Sequence, residues 1–310
     1  VPLLTLKIDV DTWRGTREGV PNLVRLLQRH EANASFLFSL GKDHTGWALR
    51  RAFRPGFFQK VSRTSVLEHY GVKTLMYGVL LPAPDIGACA EQMRAVQSAG
   101  FECGVHTWDH VLWQDNVRHR DPAWTQRQMR LAFERFAGIF NAAPLTHGAA
   151  GWQMNEAAFA QLDAFGMQYA SDGRARLTET GELVDPAVGP CRLRVGSSLL
   201  SCIQLPTTLP TLDELLGRTI GGETVVVSNI AKKLLALTAK PRDHVFTLHA
   251  ELEGQKLAPI FEQLLSGWKA QGYVFASMAQ YHESVKKAPL PDFPVSWGRL
   301  PGRSGEVIVQ

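Results

Sequence analysis

The sequence predicts an α/β protein, a (β/α) barrel of seven or eight strands, with an open doubly wound sheet as the alternative. Three observations support this. Short apolar, strand-like runs alternate with helix-like stretches along most of the 310 residues. The composition, 45% hydrophobic and 20% charged, is that of a globular chain with a sizeable core. Acids and histidines gather where strand-like runs end, the edge on which barrels and open α/β sheets build their sites.

The elements follow in order. A first strand over 3–10 (LLTLKIDV) is mostly apolar, and a helix-like stretch follows at 19–30. Further strands are expected at 34–40 (ASFLFSL), 101–106 (FECGVH), 145–148, 167–171 (MQYAS), 199–205 (LLSCIQL), 243–248 and 273–276. Helix-like stretches lie between them at 85–99, 122–140, 153–165, 211–219, 229–239 and 255–271. Two segments break the alternation. Residues 41–84 form an insertion far longer than an ordinary βα connection. The stretch from Glu283 carries Pro289, Pro291, Pro294 and Pro301, so it should be extended and partly disordered. The expected organisation is one barrel over 1–282, interrupted at 41–84, and a Pro-rich extended tail over 283–310.

Composition excludes several function classes. A net charge of +4 falls far short of a nucleic-acid-binding tail, so no nucleic-acid partner is expected. Cys89, Cys103, Cys191 and Cys202 form no CxxC and read as reduced thiols. The chain enters a strand at once, so no leader is expected, and no run reaches the roughly 20 apolar residues of a membrane span. There is no Walker loop, GxGxxG after a strand, GxSxG or HExxH. A cytosolic or peripheral protein is the expectation.

The insertion suggests the peripheral case. Lys42, Arg50, Arg51, Arg54, Lys60, Arg63 and Lys73 outnumber Asp43 and Glu68, with aromatic residues interleaved. Read as a helix, Trp47, Arg50, Arg51 and Arg54 share one side and Phe53 and Phe57 another, as in an interfacial helix. The docking set for an anionic bilayer is then Trp47, Arg50, Arg51, Arg54, Phe57 and Phe58. The alternative is a lid over the barrel mouth with its aromatics turned inward.

The chemistry concentrates in a few side chains. Asp9 and Asp11 stand i and i+2 at the end of the first strand, so both point to one face. Such a pair repels itself unless a cation or a shared proton lies between. His106 ends the FECGVH strand and opens HTWDH, with His110 four residues on. Asp172 follows MQYAS, and His249 ends HVFTLH. Each has a plain reading as a cap, turn or buried histidine; their shared placement is the signal. Two histidines and one carboxylate make a catalytic metal set with a position left for water. The remaining acid can take the water's proton, and a separate histidine can protonate a leaving amine. That combination means hydrolysis. His₂Asp suits Zn²⁺, Co²⁺, Mn²⁺ or Fe²⁺ alike.

The segments KIDVDT, HTWDH, HGAAGW, YASDGR and FTLHAELEG, in this order, resemble the polysaccharide deacetylase (NodB homology) family over residues 3–282. The resemblance implies a distorted (β/α) barrel and a single divalent metal. It implies Asp9 as base, Asp11, His106 and His110 as metal ligands, His249 as general acid, and Asp172 as an acid orienting the catalytic groups. Val10 separates two acids that are often adjacent in the family, which leaves the split between base and ligand open. The third motif usually starts with Arg; here that place falls at His147 or a neighbour. Substrate contacts are expected from Arg14, His147, Gly151 and Trp152. The small residues 148–151 would line either a tight acyl pocket or a close-packed turn.

Within the family, IDVDTWRGTREGVP, AAGW, LPTTLPTLDELLGR and TLHAELEG resemble the branch that deformylates a formamido sugar on undecaprenyl phosphate. That branch works at the cytoplasmic surface of the inner membrane. Its product is a cationic amino sugar destined for lipid A, which blunts polymyxin-like peptides. The rivals are a deacetylase of soluble amino sugars, an allantoinase-like amidohydrolase, and a catalytically dead lipid- or sugar-binding module. The basic-aromatic insertion argues against a soluble substrate, and retention of Asp9 and His249 argues against the dead module.

Overall fold

The computed structural model describes residues 1–48 and 72–310. Its strands are β1 (Leu3–Val10), β2 (Ser35–Ser39), β3 (Glu102–Thr107), β4 (Thr146–His147), β5 (Tyr169–Ala170), β6 (Cys191–Val195) and β7 (Ser198–Gln204). They continue as β8 (Thr219–Ile220), β9 (Glu223–Thr224), β10 (His244–His249), β11 (Val274–Ala276), β12 (Asp292–Pro294), β13 (Ser296–Arg299) and β14 (Glu306–Val309). Seven of them run parallel in the order β10-β1-β2-β3-β4-β5-β7, and β11 pairs with the start of β1. The result is a mixed α/β fold with a mostly parallel sheet. Its two ends meet through a loop: Thr208 N–H donates to the Val245 carbonyl at 3.0 Å. The barrel expected from sequence is thus not closed strand to strand. A hydrogen bond from the segment after β7 stands where another strand pair would be.

β1 shows why the sheet is buried on both faces. Leu4, Leu6, Ile8 and Val10 join the core formed with the surrounding helices. These include Val20–Arg29, Pro122–Phe140 and Ala258–Ala270. Thr5, Lys7 and Asp9 alternate to the other face and are buried too. On that inner side Leu37, Tyr169, Ile203, Leu205 and Val245 pack with Met278 and Tyr281 of the helix Met278–Val285. The interior is therefore apolar at one end and polar at the C-terminal strand edge.

Every strand expected from sequence forms, with ends shifted by a residue or two. The helix expected over 211–219 shrinks to Leu212–Leu215, because Gly217 turns at φ +73° into the β8–β9 hairpin. Residues 283–310 are extended but not detached. β12 pairs with β6, and β13 and β14 form a hairpin whose Val307, Ile308 and Val309 are buried. Val307 and Val309 pack with Trp152, Ala175 and Leu177. Apolar residues spaced among prolines and glycines hide this burial from a composition-based reading.

The insertion is described only at its neck, residues 41–48 and 72–84, which includes the short helix Val72–Met76. Of the docking set, Arg50, Arg51, Arg54, Phe57 and Phe58 lie outside the described residues. Trp47 is described, and it stacks on His44 and donates to the Gly78 carbonyl. Among the described residues, no helix is long and apolar enough to cross a membrane.

Candidate active site

The C-terminal end of β1 places its two acids differently. Asp9 is buried, with Oδ2 3.1 Å from the amine of Lys7, one pleat back on the same face. Lys7 is itself wholly buried and lies over the Trp152 ring at 5.0 Å. Asp11 sits past the strand in a turn held from across the sheet. Glu251 Oε1 accepts from the backbone N–H of Asp11 (3.0 Å) and Thr12 (2.8 Å) and from the Thr12 hydroxyl (2.8 Å). Gly15 is required beside it, since a Cβ there would fall 1.9 Å from Glu251 Oε1.

Two histidines converge on Asp11. His106 Nε2 is 3.2 Å from Asp11 Oδ1, and His110 Nε2 is 3.4 Å from Asp11 Oδ2. His106 Nδ1 donates to the Gly148 carbonyl at 2.6 Å, which turns Nε2 toward Asp11. The close approach depends on glycine: a Cβ on Gly148 would meet Leu37 Cδ1 at 2.4 Å and Lys7 Cε at 2.7 Å. His110 opens the helix His110–Asn116, which Asp109 caps through Leu112 N–H. One ligand atom from each of Asp11, His106 and His110 lies within 4.8 Å of the others. Asp9 Oδ1, Asp11 Oδ1 and His106 Nε2 are buried without hydrogen-bond partners. Buried polar atoms are normally satisfied. Unpartnered oxygen and imidazole nitrogen atoms converging at this spacing fit a divalent cation.

Burial alone would raise the Asp11 carboxyl, but His110 and His106 outweigh it and hold Asp11 well below the usual carboxylate range. Burial would keep His249 neutral, yet Asp11, Asp213, Glu253 and Asp9 push its imidazole up to about 9. Its backbone N–H donates to Glu253 Oε2 at 2.8 Å, while its Nδ1 is buried and unpartnered. Burial also pushes Glu251 up to about 8, with Asp11 adding to it, and Glu253 to about 7.

The remaining expected residues are placed around this centre. His147 Nδ1 bonds Asp172 Oδ1 at 2.6 Å, and Gln204 Nε2 donates to the other Asp172 oxygen at 3.0 Å. His147 is buried and lies edge-on to Phe133 of the helical layer. Asp172 is fully buried within that pair, where it orients His147. Gly151 and Trp152 both have positive φ, +61° and +54°, which glycine adopts freely and Trp152 only under strain. Trp152 is buried, with Lys7, Arg174 and Arg303 over its ring, so it packs against the cation that pairs with Asp9. The small residues 148–151 are buried. Arg14 pairs with Glu18 at 2.8 Å at the surface.

Sequence reasoning missed Lys7, Asp213, Glu251 and Glu253. Lys7 was legible, being the one cation within an apolar strand and sharing a face with Asp9. Nothing local marks Asp213, which reaches the His249 field only through the fold.

No model of a known protein family matches the chain. A probable 4-deoxy-4-formamido-L-arabinose-phosphoundecaprenol deformylase ArnD of Shewanella sediminis is 33% identical over 283 residues, 90% of this chain and 86% of the relative. The chain belongs to this deformylase family. The counterpart in Wigglesworthia glossinidia brevipalpis is 27% identical over 300 residues, 96% of this chain and 98% of its own length. Among solved structures, a protein of Mycobacterium smegmatis assigned as a polysaccharide deacetylase superposes with a TM-score of 0.61. It is 16% identical, and the match covers 96% of this chain and 95% of that one, which speaks for the fold. At the level of class, the ArnD deformylase family makes the protein an amide hydrolase of the polysaccharide deacetylase group.

Proposed function

We propose that the protein hydrolyses the 4-formamido group of 4-deoxy-4-formamido-L-arabinose carried on undecaprenyl phosphate, releasing formate and the 4-amino sugar. The observation that carries this is the meeting, at one strand edge, of the Asp11–His106–His110 trio, the Lys7-paired Asp9 and His249. The activity named for the Shewanella and Wigglesworthia relatives supports the substrate. A divalent metal (Zn²⁺, Co²⁺, Mn²⁺ or Fe²⁺) held by the trio would supply a Lewis acid and lower the pKa of water.

The chain's own groups divide the protons. Asp9, held beside Lys7, accepts the proton of the attacking water as the oxygen–carbon bond forms. His249 gives its proton to the departing nitrogen as the carbon–nitrogen bond breaks, leaving a neutral amine that protonates in water. The enzyme would work at the cytoplasmic face of the inner membrane, where the polyprenyl tail resides, and its product would serve lipid A modification and resistance to cationic peptides.

The test is mass-spectrometric detection of formate loss from the lipid-linked sugar, with metal stripped by a chelator and then restored. Formate should appear only with metal. Absence of product from fully metallated protein overturns the assignment. Asp9→Asn should keep its metal and lose about 10² to 10⁴ in turnover. Metal loss in Asp9→Asn with retention in Asp11→Asn would exchange the two roles. The acid form of His249 is present below its raised pKa and disappears as pH climbs through about 9. The alkaline limb of kcat/KM should therefore belong to His249 and be missing from the residual activity of His249→Ala.

A further inference from the structure

Thr107, Trp108 and Asp109 separate the two ligand histidines, and each is bonded in turn to the neck of the insertion. Leu40 N–H donates to the Thr107 carbonyl at 3.0 Å and Gly41 N–H to the Trp108 carbonyl at 2.7 Å. His44 Nδ1 lies 2.5 Å from Asp109 Oδ2. Asp109 is buried, and its other oxygen accepts from Leu112 N–H at 3.0 Å. One carboxylate thus caps the helix that His110 opens and grips His44. The His44 ring is itself fixed. It stacks on Trp47 with centroids 3.8 Å apart and planes 15° from parallel, and Trp47 Nε1 donates to the Gly78 carbonyl at 2.9 Å. Gly78 has φ +79°, and a Cβ there would stand 2.8 Å from His44 Cδ2. On the other side of the neck, Asp43 Oδ2 accepts from Trp13 N–H at 2.9 Å, two residues beyond Asp11.

From this we infer that His44 is a positioning residue for His110, and that the insertion neck sets the spacing of the metal ligands. The inference rests on the metal-centre reading above. Without the His44 contact Asp109 keeps its cap but loses its outer anchor. His110 Nε2 then has less to hold it beside Asp11 Oδ2. Partners that orient metal ligands typically change affinity about 10- to 100-fold. Whatever engages the insertion would in this way reach the metal through a chain of packed and bonded groups.

The test uses the full chain, stripped by chelation and titrated with Zn²⁺ against a chromophoric competitor. His44→Ala should bind zinc about 10-fold more weakly, or worse, while melting cooperatively. His44→Asn, which restores an N–H donor near the Nδ1 position, should recover most of the affinity. Combined with Asp109→Asn, His44→Ala should add little further loss, since the two act as one unit. Parent-like zinc affinity in His44→Ala overturns the inference, as does His44→Asn binding no better than His44→Ala. A parent that binds zinc yet releases no formate overturns the deformylase reading alone. A parent that binds no zinc overturns the positioning role as well.

Discussion

Lys7 is a fully buried cation inside an apolar strand. Its ammonium has left water entirely, and Asp9 Oδ2 at 3.1 Å is its paired carboxylate. Removing one partner of such a pair typically costs about 3–5 kcal/mol, because the survivor is left charged and buried. Lys7→Met should therefore lower the melting temperature, and Asp9→Asn should do so by leaving the amine uncompensated. The double variant, neutral on both sides, should melt closer to the parent than either single variant. Thermal denaturation decides it, and a Lys7→Met protein as stable as the parent would show that the pair does not hold Asp9. Bound metal should stay stoichiometric in Lys7→Met, since Lys7 touches Asp9 and not the ligand trio. Its turnover should fall with that of Asp9→Asn, because a base without its ion-pair partner is no longer held in place.

At the scale of elements, the β13–β14 hairpin acts as a strap across the back of the site. Arg174 N–H donates to the Ile308 carbonyl and Gln310 N–H to the Arg174 carbonyl, both at 2.9 Å. The Arg174 guanidinium is fully buried, grips Glu214 at 2.6 and 2.8 Å and lies 4.4 Å over the Trp152 ring. Arg303, from the loop of the hairpin, lies 4.5 Å over the same ring. Burial alone would raise the Glu214 carboxyl, but Arg174 and Arg303 outweigh it and hold it below the ordinary range. A depressed carboxyl stabilises the fold above its unfolded pKa and loses that contribution as pH falls through the folded value. Burying a valine or isoleucine side chain contributes about 1.5–3 kcal/mol, and this strap buries Val307, Ile308 and Val309. A chain ending at 282 should therefore lose cooperative unfolding in urea, and Arg303→Met should lose resistance to acid. A 1–282 protein as stable as the full chain would make the tail a separate appendage.

For the whole molecule, we propose that the insertion brings the chain to a lipid-linked substrate. The proposed docking set Arg50, Arg51, Arg54, Phe57 and Phe58 leaves from a neck that is bonded to the ligand-bearing loop. Polybasic segments gain about 1 kcal/mol per Lys or Arg near an anionic surface, so a few engaged side chains give reversible binding. Vesicle co-sedimentation should rise with anionic lipid, fall with salt and weaken when Arg50, Arg51 and Arg54 become Glu. Equal binding by that triple variant favours the alternative, a lid over the mouth.

The sequence by itself determined the alternation of strands and helices and the gathering of acids and histidines where strands end. These features are local: an apolar run ending in Asp9 and Asp11, a histidine pair four apart, and a histidine closing HVFTLH each announce themselves within a few residues. Tertiary structure decided the rest, because charge pairing and burial depend on which distant segments meet. Only the fold brings Trp152 and the C-terminal hairpin behind Lys7, turns His147 and Asp172 toward each other, and sets Glu251 under the Asp11 turn. Residues 283–310 looked extended and partly disordered because prolines and glycines dilute their apolar pattern, yet their buried side chains find a surface that exists only after the sheet has formed. A side chain's chemical type is written in the chain; whether its charge has a partner is settled by packing.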